Sequence, residues 1–132
     1  MGEIKKYRTG SHEKLIAWQM ADKLDKMVQE EILPKLPRNE FKMRSQIDNA
    51  SDSMGSNIVE GYYSGSTNEY VRFLRYSRRS CAELQERVRR ACRKGYIKND
   101  LFDRFNDLNI KTGYIIDRLI QSLERKIEQE KK

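Results

Sequence analysis

The stretch STNEYVRFLRYSRRSCAELQERVRRA, Ser66 to Ala91, decides the fold. Within it Tyr70, Leu74, Ser77, Cys81, Leu84, Val88 and Ala91 recur in alternating steps of four and three. That spacing draws one narrow seam down a single helix. Ser66 and Glu69 form a capping box ahead of it, hydroxyl and carboxylate each satisfying an unpaired backbone donor. Gly95 closes the helix.

Working back along the chain, a second helix is expected from Asn39 as N-cap, with Glu40 in its first turn. Phe41, Ile47, Ala50, Met54 and Ile58 give its apolar side, and Gly61 is a natural C′ terminator. The small-residue run Ala50 to Ser56 predicts the tightest packing surface. Gly55 within it costs about 1 kcal/mol against Ala and so asks for a packing or bending reason. Earlier still, Leu15, Trp18, Ala21, Leu24, Val28 and Ile32 mark a first helix from about Glu13 to Leu33, which Pro34 and Pro37 end. Beyond the seam, a fourth helix begins after Asn99 or Asp100. Its stripe is Phe102, Phe105, Leu108, Ile116, Leu119, Leu123 and Ile127. The charged end, Arg125 to Lys132, is expected to fray or stay solvated. Four amphipathic helices joined by short turns predict an all-α, antiparallel up-down-up-down four-helix bundle. It forms one domain over residues 13–130, preceded by a flexible arm, residues 1–12.

The chain has 132 residues, of which 36% are charged and 37% hydrophobic. No apolar run approaches the ~20 residues of a membrane-spanning helix, and Met1 to Lys6 lacks the apolar stretch of a signal peptide. The expectation is a cytoplasmic protein with no membrane partner. Cys81 and Cys92 lie on one helix about 16 Å apart, too far to pair. The single histidine, His12, lies in the expected arm, and no catalytic role is expected of it. There is no Glu-x-x-His pair, no Cys-x-x-Cys and no phosphate-cradling glycine loop. Neither an enzyme nor a cofactor or metal is expected, and Cys81 reads as a small buried hydrophobe.

The net charge is +7. Between Arg72 and Lys94 stand nine cations against Glu83 and Glu86, an excess equal to that of the whole chain. Arg72, Arg75, Arg79, Arg90 and Arg93 fall opposite the seam. With Arg89 they form the candidate nucleic-acid-binding set, since arginine chelates phosphate bidentately. Two other readings stand beside it: ion pairing within or between subunits, with Asp103, Asp107 and Asp117 as acids, and simple solvation. The stripe lacks regular aromatic interleaving, so base stacking is not indicated. The binding expected is a salt-sensitive grip on phosphates with little base reading, on RNA in preference to DNA. In Ser56 to Gly61, Asn57 and Glu60 allow a ligand site. The structural alternative pairs Glu60 with Arg72 or Arg75 and leaves Asn57 to satisfy backbone groups.

Several short pieces occur in a recognisable order: Trp18 to Ala21, Ser45 to Ile47, Ser53 to Gly61, Glu69 to Leu74, Ala82 to Leu84, and Gly95-Tyr96. Together they resemble the bacterial four-helix-bundle family of 23S ribosomal RNA intervening-sequence proteins, often labelled ribosomal-protein-like. The resemblance implies an antiparallel bundle, with ring-shaped homopentamers in some members. It also implies kinship to accessory proteins of diversity-generating retroelements, which bind nucleic acid through a basic pentameric barrel. No catalytic residues carry over. Trp18, Asn57, Glu60 and Gly61 match signature positions as structural residues, and Arg72 matches one too. Many members carry Arg before the alanine of the second helix, where this chain has Asp48-Asn49-Ala50; its basic load lies on the third helix instead. The resemblance thus points to a non-enzymatic, oligomeric RNA-binding accessory protein. The alternative is an interaction module whose ring docks an acidic protein partner.

Overall fold

A computed structural model describes residues 11–131; residues 1–10 of the expected arm, and Lys132, lie outside the described residues. Four helices dominate: α1 (Ile16–Met27), α2 (Phe41–Tyr62), α3 (Thr67–Arg93) and α4 (Asn99–Glu130). A turn of 3₁₀ helix, His12–Lys14, precedes α1. After α1 the helix widens into a π turn, Val28–Ile32, and tightens into a 3₁₀ turn, Leu33–Lys35. Pro34 explains the change, because it has no N–H to give and its ring crowds the carbonyl four residues back. Past this point Arg44 donates to Leu33 O at 2.9 Å and Leu36 O at 3.1 Å; Leu33 O has no helical donor four residues on, because that residue is Pro37.

α1 packs on α2 and α4, and α3 packs on α2 and α4, which closes a four-helix bundle. Paired residues rise on one helix as they fall on the next. Asp25 meets Ser51 while Gln29 meets Asp48. Arg75, Arg78 and Gln85 of α3 meet Glu124, Asp117 and Asn106 of α4. Neighbours in the chain therefore run antiparallel. The centre holds Leu24, Ile47, Met54, Ile58, Leu74, Leu84, Phe105 and Ile116, all fully buried. Each such side chain contributes about 1.5–3 kcal/mol.

The α3 seam is buried from Leu74 to Ala91 as the heptads require. At its first step Val71, not Tyr70, faces the core; Tyr70 is half-buried and lies over Gly61. Half of the capping box forms: Ser66 Oγ accepts from Glu69 N at 3.3 Å. The Glu69 carboxylate turns instead to Arg72, at 2.7 Å.

Several expectations are corrected. Asn39 does not cap α2; the cap position is Glu40, whose carboxylate reaches α3 rather than the helix start. Phe41 is 77% exposed, and Met43 takes its place in the core. Gly61 does not end α2: it stays helical, and Gly65, at φ 80°, makes the left-handed turn. The tight approach lies at Gly61, where a Cβ would come within 2.9 Å of Tyr70 Cδ1 and 3.1 Å of its carbonyl oxygen. At Gly55 a Cβ would meet only Trp18 Nε1, at 3.9 Å. α4 starts at Asn99 with Lys98 at the cap position and runs to Glu130, with Ile127 partly buried against the core. Its middle is more polar than the apolar stripe suggested. Asn109 and Thr112 are buried, and Asn109 exchanges hydrogen bonds with Cys81 of α3.

Candidate nucleic-acid interface

The six candidate arginines share one helix but not one environment. Near the start of α3, Arg72 forks onto Glu69 and donates to Tyr76 Oη at 3.0 Å. Those hydrogen bonds, Glu69 first, raise the Arg72 pKa further. Arg75 pairs with Glu124 of α4. Arg78, outside the candidate set, pairs with Asp117 at 3.0 Å and lies against Gly113, where an added Cβ would come within 3.0 Å of its guanidinium carbon. Arg79 stacks over Tyr76 at 5.6 Å. Intramolecular pairing, one of the three readings of the stripe, therefore describes the first half of α3. Glu60 has no part in it: neither Arg72 nor Arg75 reaches it.

Further along, Arg89 makes a looser contact with Glu86 at 3.4 Å and covers the Phe102 ring at 5.3 Å. Arg90 and Arg93 are exposed and, with Arg87, meet no carboxylate in an ion pair among the described residues. Arg87 and Arg90 join Lys42, Gln46, Met43, Glu40 and Lys94 in a groove of about 230 Å³ between α2 and the end of α3. Glu40, its single anion, accepts from Lys94 Nζ at 2.8 Å and from Tyr96 Oη. The first of these bonds does most to hold the Glu40 carboxyl below the ordinary carboxylate range. Arg87 was not among the candidates, although its place one heptad step from Lys94 was legible. Lys42 lies too far off in sequence to be tied to α3 by spacing.

The signature residues divide as well. Asn57 donates to Ser53 O at 2.8 Å and to Ser53 Oγ at 2.9 Å. Gly61 is the close contact of α2 with α3. Trp18 and Glu60 line a groove of about 330 Å³ between α1 and α2, together with Asp22, Asp25 and Asp52. His12, placed in the arm by the sequence reading, packs edge-on against Trp18 and hydrogen-bonds Tyr63 Oη at 3.1 Å. Cys81 is buried, which pushes its thiol pKa up to about 11. Among the described residues no cluster of three His, Cys, Asp or Glu is placed to hold a metal ion, and no helix is long and apolar enough to cross a membrane.

These features define a small all-helical bundle with an unpaired basic surface at one end of its third helix. The 23S rRNA-intervening sequence protein family matches residues 13–118, and the chain belongs to that family. No curated protein matches the sequence.

Proposed function

We propose that this protein is a non-enzymatic, cytoplasmic accessory protein that binds nucleic acid, RNA in preference to DNA, through the second half of α3. The observation that carries the reading is the group Arg87, Arg90 and Arg93, none of them in an ion pair among the described residues, with Arg87 and Arg90 sharing a groove with Lys42, Lys94 and one acid, Glu40. Cations already neutralised within the fold have little to gain from phosphate; unpaired ones release counterions when they meet it. Of the candidate set, Arg90 and Arg93 are therefore the principal contacts and Arg89 an auxiliary one. Arg72 and Arg75 serve the fold, and Arg79 lies between the two groups. The family's description names ribosomal RNA, which is compatible with this reading.

Binding is proposed to occur as a homo-oligomer, a pentamer by family resemblance. Support comes from Ile16, Ile110 and Tyr114, each more than half exposed. The carboxylates of the α1–α2 groove and the cations of α3 also give one chain two complementary surfaces. Sedimentation should give a mass several times 15.7 kDa; a monomer at micromolar concentration refutes the oligomer. The same exposed residues favour a second reading, in which the assembly docks an acidic protein partner. A titration of structured RNA at two salt concentrations decides between them. Submicromolar affinity that falls steeply with salt supports RNA binding; no binding at low salt refutes it and leaves the protein-partner reading.

A further inference from the structure

Phe41 stands at the first position of α2 with 77% of its surface in solvent. Its neighbours Glu40 and Lys42 both line the cationic groove. No side chain caps α2, and its first ladder bond runs from Arg44 N to Glu40 O. The N–H groups of Phe41, Lys42 and Met43 thus have no acceptor within the helix. A helix start of this kind carries roughly half a positive charge and binds phosphate. This helix start lies beside Lys42, Arg87, Arg90 and Lys94, the last of them paired with Glu40. One end of the bundle therefore combines backbone donors without a helical acceptor, Arg87 and Arg90 outside any ion pair among the described residues, and the bare Phe41 ring next to Lys42.

We infer that the ligand of this groove is an unpaired stretch of nucleic acid, its phosphates on the cations and the start of α2, with one base stacked on Phe41. The inference rests on the nucleic-acid reading above and narrows it. Inside a duplex both faces of each base are covered by neighbours, so the Phe41 ring can stack only at the duplex ends. A single strand, loop or frayed end offers a free base face, which any base supplies whatever its sequence. Phe41 lies outside the seam of α3, which is why the α3 stripe gave no sign of stacking.

The test compares Phe41→Ala, Phe41→Leu and Phe41→Trp with the native chain. Each is titrated with a single-stranded oligoribonucleotide and with a duplex of the same length. Position 41 is on the surface, so all three should keep the native circular dichroism and melting temperature. Phe41→Ala and Phe41→Leu are expected to weaken single-strand binding about tenfold and to leave duplex binding within about twofold, while Phe41→Trp retains affinity. Unchanged single-strand affinity in all three, with binding still abolished by Arg87→Glu, Arg90→Glu and Arg93→Glu together, overturns the stacking and leaves the phosphate grip standing. Failure of the native chain to bind either RNA at low salt removes both.

Discussion

At the end of the bundle where α2 turns into α3, Arg72, Arg75 and Arg78 each meet a carboxylate. Aromatic rings gather around them: His12 on Trp18, Tyr62 on Tyr63 and Tyr70, Phe73 on Tyr76. At the opposite end, Arg87, Arg90 and Arg93 meet no carboxylate in an ion pair among the described residues, and Phe41 is bare. One helix supplies both sets of arginines at similar spacing. What differs is the neighbour. The C-terminal half of α4 brings Asp117 and Glu124 alongside the first half of α3, and no acid of α4 takes up Arg87, Arg90 or Arg93 near its end. A charge stripe is therefore not one object: acids from another helix can convert half of it into a fastening and leave the other half available.

The largest effect expected is on RNA binding. Replacing Arg87, Arg90 and Arg93 with Glu should lower affinity at least a hundredfold and reduce the logarithmic salt slope by about two to three. The same exchange at Arg72, Arg75 and Arg78 should leave affinity within a few-fold and lower the melting temperature instead. Equal losses of affinity from the two triple variants would erase the distinction between the ends. Next is the packing that shapes the aromatic end. Gly61→Ala forces Tyr70 and Phe73 aside and should cost about 1–3 kcal/mol in denaturant unfolding. Gly55→Ala, with room for a methyl group, should be neutral or stabilising by up to about 1 kcal/mol.

A smaller effect concerns Tyr70, whose hydroxyl is buried with no hydrogen-bond partner. Burial pushes its pKa up to about 12. The folded state holds this proton more tightly than the unfolded chain does. The resulting stability is present below the ordinary value of 10.0 and is lost as pH climbs toward 12. Ultraviolet titration should show a tyrosinate forming near pH 12 that is absent in Tyr70→Phe, and that variant should be more stable by about 1 kcal/mol because the unmet hydroxyl is gone. The least effect is expected at Glu40, in the cationic groove. Its carboxyl is held low, so its contribution is present above the ordinary value near 4.5 and lost as pH falls through the folded value. Melting temperatures of the native chain and Glu40→Gln should differ slightly at neutral pH and converge in acid. A difference that grows in acid would refute the Lys94–Glu40 pairing.

The number of helices, their approximate ends and the seam of α3 were legible because each rests on local spacing. Residues three and four apart share a helix face whatever surrounds them. The family was legible for a similar reason, since short pieces in fixed order survive in the sequence itself. The site was legible only in outline: the basic helix was visible, but not which of its arginines were free. The Asn57 bonds to Ser53 are local as well, one helical turn apart.

Contacts between helices were fixed only by the tertiary structure. Glu60 was matched with Arg72 or Arg75 across a short turn, yet Glu69 and Glu124 took those partners; the second is 49 residues from Arg75. Gly61 looked like a helix end, because glycine serves equally as a left-handed terminator and as a gap for a neighbouring ring. Only the position of Tyr70 decides which. Phe41 looked like core because hydrophobicity gives the tendency to be buried, not the direction in which a helix start faces. The sequence by itself determined the helices and the sum of their charge. The packing of α2 and α4 against α3 determined which charges remain, since an ion pair depends on distance in space and the sequence records distance only along the chain.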